Sequence, residues 1–299
     1  MRFIVAWEQM KPSDLAILIP TRNRPAILKR TLEELAARGF GGHSLLVYDD
    51  ASDEPLEIDK VVSLWPGARL LRGKTRCGQA RGRNELMRST TCPYALFLDD
   101  DSWPEHHAAL MTALKDVRDD GITIATFQYR SLGDGKLSKP PERQRGPSAG
   151  FLGGASLFHV PPVLAIGGYR EFFVYGYEEP ELAMRHWLRG LKVEYFPGVV
   201  IAHNHLEKPD EKRDHREYDF LYARNGVLMS SLNMPLWFGL PHGLARSLRR
   251  SLHRKQNFMS KLSGTLAGIK MTFSLWPERT PCSWRQAFRW IQFNRQCAR

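Results

Sequence analysis

Three consecutive carboxylates, Asp99, Asp100 and Asp101, close the apolar run Ala95-Leu96-Phe97-Leu98 and are followed by Ser102-Trp103-Pro104. Like charges this close raise one another's proton affinity unless a cation neutralises them. Hard oxygen ligands suit Mg²⁺ or Mn²⁺, ions that also hold phosphate oxygens. Taken alone, the same letters also describe a solvated acidic turn with a helix N-cap. Glu178 and Glu179 precede Pro180, a residue suited to the first helical position, which puts Glu179 near the N-cap, where the helix dipole favours the anion. A carboxylate kept ionised in a cleft can act as general base. The simpler alternative is capping, with Glu181 and Arg185 as an exposed i,i+4 pair. His203 and His205 alternate on a strand end, so only one reaches a shared site, and one imidazole added to the aspartates makes a mixed nitrogen and oxygen metal site. Without a ββα-metal pattern around it, His203-Asn204-His205 does not define an HNH nuclease. His106 and His107 read as exposed residues of a first helical turn, with no role.

These groups need elements to hold them. The run from Leu15 to Ile19, ended by Pro20, reads as a first buried strand. The polar turn Thr21-Arg22-Asn23-Arg24 follows, then a helix from Pro25 with Ile27, Leu28, Leu32 and Leu35 at helical spacing. Residues 44–48 repeat the strand signal and end in Asp49-Asp50. Leu70-Leu71 is a short third strand, 77–87 a helix, and 94–98 the strand that ends at the aspartates. Residues 105–117 read as a helix and 122–127 as a strand. The Gly- and Pro-containing stretch 131–149 is long for a connection and reads as a substrate-facing loop. Gly153 to Phe158 resumes strand character, a helix follows Pro180, and 193–196 and 199–202 are two short strands leading to His203. Alternation of this kind predicts an α/β fold with a mostly parallel sheet, whose ligands sit outside the carboxyl ends of the strands. The polar clusters fall at those ends.

Length and composition agree. A chain of 299 residues with 42% hydrophobic content can bury a real core. Cys77, Cys92, Cys282 and Cys297 have neither metal-type nor paired spacing and read as free thiols of a reducing compartment. The N-terminal stretch is too soon interrupted by Glu8 and Lys11 for a signal peptide, and no run of about 18 apolar residues occurs, so no membrane span is expected.

Six segments together carry a family resemblance. Ile17-Leu18-Ile19-Pro20-Thr21-Arg22-Asn23-Arg24-Pro25, Val47-Tyr48-Asp49-Asp50-Ala51-Ser52 and Ala80-Arg81-Gly82-Arg83-Asn84 come first. Leu96-Phe97-Leu98-Asp99-Asp100-Asp101, Gly167-Gly168-Tyr169-Arg170-Glu171 and Tyr177-Glu178-Glu179-Pro180-Glu181-Leu182 follow. In order and spacing the chain resembles family 2 glycosyltransferases, inverting nucleotide-sugar enzymes of the GT-A (Rossmann-like) fold, over roughly residues 13–225. The resemblance implies that Pro20, Thr21 and Arg22 hold the nucleotide, that Asp50 contacts its base, and that Arg83 and Asn84 lie beside the donor. It implies that Asp99, Asp100 and Asp101 form the metal and donor motif, with Asp101 a direct ligand, Asp99 its partner, and His203 an added ligand. Glu179 matches the catalytic base and Glu178 its neighbour. Two departures stand out: the family more often has Glu-Asp where this chain has Glu178-Glu179, leaving open which glutamate acts, and Arg170 replaces a common acid. Tyr222-Ala223-Arg224-Asn225 is similar to a segment of bacterial members that build lipid-linked polysaccharide, and the overall likeness is to rhamnosyltransferase-type members.

The charge is one-sided. Residues 226–299 carry 12 Lys/Arg against one acid, Glu278, whereas residues 1–225 carry 31 bases and 31 acids. Leu240, Leu244, Leu248 and Leu252, then Met259, Leu262, Leu266 and Ile269, interleave with Arg246, Arg249, Arg250, Arg254, Lys255, Lys261 and Lys270. A third segment holds Trp284, Phe288, Trp290, Ile291 and Phe293. This predicts a 226–299 region of amphipathic helices lying on an anionic membrane, or else a helical layer packed on the catalytic domain. The expectation is a cytoplasmic transferase on the inner face of the plasma membrane, dependent on Mn²⁺ or Mg²⁺. It would move a sugar from a dTDP- or UDP-sugar to a glycan or polyprenyl-linked glycan of cell-surface polysaccharide assembly. The alternatives are a sugar-1-phosphate nucleotidyltransferase, for which Pro20-Thr21-Arg22-Asn23 lacks the Gly-rich loop, and a nucleic-acid-binding protein using the basic tail, which gives the aspartates no use and is not expected.

Overall fold

The computed structural model describes residues 14–57, 61, 63–139, 142–204, 215–253 and 257–297, with the side chains of 250–253 left aside. The N-terminal stretch to residue 13, Pro140, Pro141, His205, Arg254 and Lys255, and the side chains of Arg250 and Leu252, lie outside what is described.

One sheet organises the chain. Strand β1 (Leu15–Thr21) leads through helix α1 (Pro25–Ala37) to β2 (Ser44–Asp49), β3 (Arg69–Arg72), helix α2 (Gln79–Ser89) and β4 (Tyr94–Leu98). Next come β5 (Ser102–Pro104), α3 (His107–Asp119), β6 (Ile124–Ser131), β7 (Gly146–Pro147), β8 (Ala155–His159), α4 (Val160–Ala165), α5 (Glu178–Leu188) and β9 (Val193–His203). Four helices complete it: α6 (His215–Asn233), α7 (Leu236–His253), α8 (Phe258–Ser274) and α9 (Trp284–Cys297). The strand order is β3-β2-β1-β4-β8-β6-β9-β5, with β7 on β9. The sheet is parallel from β3 to β4, as alternation predicts, but β8 runs antiparallel to both β4 and β6, and β5 and β7 are antiparallel to β9. Beyond β4 the pairing is mixed, since β6 and β9 are parallel to each other. β5 and β8 do not follow the strand-helix-strand crossover that forces parallel pairing.

Period-2 alternation sorts the side chains into two layers. Ile17, Ile19, Leu96 and Leu98 meet Leu28, Leu32, Leu110 and Leu114 of α1 and α3, while Leu18 and Phe97 meet Leu86 and Met87 of α2 on the other face. A third apolar cluster, with Phe173, Met184, Leu228, Leu232 and Trp290, ties α5, α6 and α9 together, so the C-terminal helices pack on the sheet domain. Residue 225, the boundary expected from sequence, falls inside α6. The two short strands expected after α5 are one, β9, which runs through Pro197 with a register shift opposite Thr126 and Gln128. His107 is half-buried, not exposed: its Nε2 lies 3.0 Å from Nε2 of His43.

Candidate active site

A cleft of about 560 Å³ opens along the carboxyl ends of β1, β2 and β4 and is closed on the far side by the turn before α5 and by α6. Of the residues singled out in the sequence, Pro20, Thr21, Arg22, Asp50, Arg83, Asp99, Asp100, Asp101, Glu178, Glu179 and His203 all line it.

The acidic turn is built by strand pairing. β4 ends at Leu98, the Asp99 N–H donates to Ser102 Oγ at 3.0 Å, and β5 then pairs Ser102 with His203 of β9. That register brings His203 Nε2 to 3.0 Å from Asp101 Oδ1. Asp99, Asp101 and His203 can each aim one ligand atom into a region where those atoms lie within 4.8 Å of one another. Two carboxylates and an imidazole form an oxygen-rich donor set that fits Mn²⁺ or Mg²⁺, so the side chains present suit the metal that the sequence implies. His205 lies outside the described residues.

The three aspartates have separate duties. Asp100 turns away from the metal ligands: Thr21 Oγ1 donates to it at 2.6 Å, Arg24 also bonds it, and Thr31 Oγ1 bonds its carbonyl. Burial, opposed by Arg24 and Thr21, pushes its carboxyl up to about 7. It ties the β1 loop to the acidic turn. Asp101 takes a hydrogen bond from Arg24 Nη2 at 2.8 Å; burial works against its charge, but the contacts with His203 and Arg24 outweigh that and hold its carboxyl below the usual range. Asp99 accepts from the Tyr129 hydroxyl at 3.0 Å, and the Tyr129 ring stacks on His203 with centroids 4.4 Å apart.

Arg83 joins this cluster to the glutamates. Almost fully buried, it places Nη2 at 3.4 Å from Asp99 Oδ1 and Nη1 at 3.4 Å from Glu179 Oε1. Burial opposes its charge, yet Tyr169, Glu179 and Asp99 raise its pKa above the ordinary arginine value. The backbone approaches it closely: a Cβ at Gly153 would stand 2.4 Å from the guanidinium, and one at Gly154 2.2 Å from the Asp99 carboxylate carbon, so a side chain at either would displace Arg83 or Asp99.

Glu178 and Glu179 open α5, two residues earlier than Pro180 suggested, so Pro180 is the third helical residue. The turn before them is strained. Val174 has φ 58 and ψ −62, and the Tyr175 N–H bonds the Phe173 carbonyl at 2.6 Å, the γ-turn geometry that β-branched residues disfavour. Tyr177, the N-cap, is left-handed at φ 70. Asn225 of α6 holds the turn by donating from Nδ2 to the carbonyls of Phe173, Tyr175 and Gly176 at 2.8, 2.9 and 2.7 Å. Glu178 is buried, and its Oε2 has no hydrogen-bond partner among the described residues. Burial, reinforced by the neighbouring Glu179, pushes its carboxyl up to about 8. Burial raises Glu179 as well, against the pull of Arg83. Two adjacent acids with one cationic partner favour the state in which Glu179 is ionised and Glu178 holds a proton.

Three expectations change. Asn84, expected beside the donor, does not line the cleft; its Nδ2 bonds the Tyr169 carbonyl at 2.8 Å and its Oδ1 accepts from the Tyr169 N–H, because the left-handed Gly167-Gly168 turn needs both partners. Asp50 lines the cleft, but its oxygens accept the N–H groups of Cys77 and Gly78 at 2.7 and 2.9 Å, so it fixes that loop as well as facing a ligand. Glu181 and Arg185 are buried, not an exposed pair: Arg185 Nε bonds Glu181 Oε1 at 2.9 Å, and Arg170 Nη1 reaches the same oxygen at 3.1 Å. Arg170 also donates to the Glu278 carbonyl at 2.7 Å, so this departure from the family pattern links α5 to the C-terminal region. Sequence reasoning missed the parts played by Arg24, Tyr129 and the Gly153-Gly154 pair. The glycines carried the one legible signal, since paired glycines at a strand start mark a close approach.

The sheet and cleft are those of the GT-A fold, and the comparisons agree. Residues 16–169 match the model of Glycosyl transferase family 2, over half of the chain, and the protein belongs to that family. An "Uncharacterized glycosyltransferase" of Haemophilus influenzae is 31% identical over 87 residues, 29% of this chain and 29% of the relative's length. GalNAc-T7, solved with UDP, GalNAc and Mn²⁺, superposes with a TM-score of 0.62 at 16% identity over 84% of this chain, which spans 53% of that one. The mannosyltransferase PcManGT of Pyrobaculum calidifontis, solved with GDP-Man and Mn²⁺, gives 0.55 at 15% identity, covering 94% of this chain and 86% of the other. At these identities the structural likenesses establish the fold.

Proposed function

We propose that this chain transfers a sugar, with inversion, from a dTDP- or UDP-linked donor such as dTDP-rhamnose to a hydroxyl of a glycan or polyprenyl-linked glycan in cell-surface polysaccharide assembly. The observation that carries the reading is the Arg83 bridge, which sets a carboxylate base, Glu179, and a metal-ligating carboxylate, Asp99, 3.4 Å to either side of one guanidinium in one cleft.

Asp99, Asp101 and His203 would hold Mn²⁺ or Mg²⁺, which when bound neutralises diphosphate charge on the leaving side. Glu179 takes the proton from the acceptor hydroxyl at Oε1 or Oε2, and its raised proton affinity makes it the stronger base. Arg83 keeps that carboxylate ionised and steady. Asp100, through Thr21 and Arg24, fixes the β1 loop where the nucleotide enters. Attack from the Glu179 side and departure on the aspartate side amount to a single displacement, which inverts the anomeric centre. The 226–299 excess of bases supports a cytoplasmic location on the inner face of the plasma membrane.

The test is a thermal-shift screen of the purified chain against UDP, dTDP, GDP and CDP, each with Mn²⁺ and with EDTA, beside Asp101→Asn. A rise for one nucleotide that needs Mn²⁺ and disappears in the variant supports the reading and names the donor class. The anomeric configuration of product formed from that donor, read by NMR, then decides inversion. A flat response to all four nucleotides would sink it.

A further inference from the structure

The C-terminal helices are built inside out. α8 turns Gly264, Thr265, Gly268 and Thr272 inward and leaves Met259, Leu262, Leu266 and Phe273 at 72, 37, 57 and 54% exposure. Spacings of 3, 4 and 7 residues put those four on one face, opposite the glycines. A helix that packs in water does the reverse.

The inner face is held by close approach and hydroxyl contacts. A Cβ on Gly264 would lie 2.2 Å from the Phe220 carbonyl oxygen of α6, and one on Gly268 2.7 Å from that of Arg224. Thr265 Oγ1 meets Ser247 Oγ at 2.6 Å and Thr272 Oγ1 meets Ser231 Oγ at 2.7 Å. α7 repeats the plan: Gly239 and Gly243 are buried against α6 and Ser247 against α8, while Leu248 of the leucine series is 48% exposed and Leu240 and Leu244 are half-buried. The leucine stripe is therefore on the outer face. Small residues four apart with hydroxyl hydrogen bonds between helices are the packing used where the surroundings are as apolar as leucine.

We infer that the outer face of α8, with Met259, Leu262, Leu266 and Phe273, inserts into the acyl layer of an anionic bilayer. No described helix is long and apolar enough to cross a membrane, so α8 lies in the plane of the interface. The occupant is a bilayer rather than a second protein surface because the exposed charges of the C-terminal helices are cationic: Arg249 of α7, Lys270 of α8, and Arg285 and Arg289 of α9 are exposed, and Glu278 is the one acid after residue 225. Trp276, 51% exposed just beyond α8, stands at the level where indoles meet headgroups. α8 packs on α6, and α6 supplies Tyr218 and Tyr222 to the cleft wall, so insertion holds the cleft one helix away from the lipid. An acceptor sugar carried on a lipid reaches Glu179 from that side. This deepens the membrane contact proposed above and rests on it, but not on the identity of the donor.

The distinguishing property is resistance to salt. Charge attraction alone is screened at about 1 M salt, where the Debye length is about 3 Å, whereas inserted side chains are not released. The full chain is sedimented with phosphatidylglycerol-containing vesicles at low and at high salt, beside Met259→Ser/Leu266→Ser and Leu266→Trp. Both positions are exposed, so an unchanged melting temperature checks the fold. We expect the wild type to stay bound at high salt, the double variant to be released with at least a tenfold loss of partitioning, and the tryptophan variant to bind at least as well as wild type. Full release of the wild type at high salt overturns the proposal. Equal partitioning of wild type and double variant overturns it too, as does a salt-stable dimer, broken by the double variant, with no vesicle binding. The nucleotide screen on the same protein, run without vesicles, shows separately whether the transferase reading stands.

Discussion

The Arg83 guanidinium, 2% exposed in its side chain, lies 3.4 Å from the Glu179 carboxylate. Breaking a pair of this kind from one side leaves the other charge uncompensated in a dry site. Arg83→Met should therefore lower stability by about 3 kcal/mol in urea unfolding. The same variant should lower transfer at neutral pH by more than a hundredfold, since it removes both the orienting contact and the reason Glu179 stays ionised. Arg83→Met that melts and turns over like wild type would remove the bridge from the mechanism.

The glutamate pair predicts a pH profile. Burial raises both carboxyls, Glu178 to about 8, so the acid limb of kcat/KM should lie above the ordinary glutamate range and activity should rise with pH as Glu179 ionises. Glu178→Gln replaces a carboxyl that is already neutral over this range, so the limb should stay in place, whereas Glu179→Gln should abolish it. Stability has the opposite sign: a carboxyl that ionises near 4.5 when unfolded and near 8 when folded contributes stability below the first value that is lost as pH rises through the second. The Tm of Glu178→Gln relative to wild type should accordingly improve from pH 5 to pH 8. An acid limb that lies in the ordinary glutamate range, or that survives Glu179→Gln, counts against Glu179 as the base.

Tyr129 reaches Asp99 with its hydroxyl and His203 with its ring. Outer partners of this kind orient metal ligands, and their loss lowers metal affinity by about 10- to 100-fold. Tyr129→Phe keeps the stacked ring and loses only the hydrogen bond. Mn²⁺ titration followed by electron paramagnetic resonance should show the weaker binding with Tm almost unchanged; equal affinity would make Tyr129 a packing residue only.

Asn225→Ala leaves the carbonyls of Phe173, Tyr175 and Gly176 without their shared donor. Phe173 keeps the Tyr175 N–H and Arg224, so the Tyr175 and Gly176 carbonyls carry the loss; unsatisfied buried groups cost about 1–3 kcal/mol each, less where water reaches them, and a loss of about 2 kcal/mol is expected. Because the strained turn at Val174 relies on this amide, hydrogen exchange in residues 173–177 should rise more than in the sheet.

The sequence determined the parts that depend on near neighbours along the chain. The strands β1, β2 and β4, the helices α1 and α2, and the polar residues at the strand ends follow from alternation, helical spacing and the proline at 25, although β1 runs through Pro20 to Thr21. The cluster of Asp99, Asp101 and His203 could be named from motif order, since its members end recognisable strands. Tertiary structure decided what depends on residues far apart. The antiparallel insertion of β8, the turning of Asp100 toward Thr21 and Arg24, and the bridge from Arg83 to both Asp99 and Glu179 join segments 16 to 96 positions apart. It also withdrew Asn84 from the cleft and decided which face of α7 and α8 packs inward. A leucine stripe shows that a helix has an apolar side, but the packing partner decides which side is buried. Here glycines allow α6 to approach closely enough that the small side wins, and the large residues are left outside.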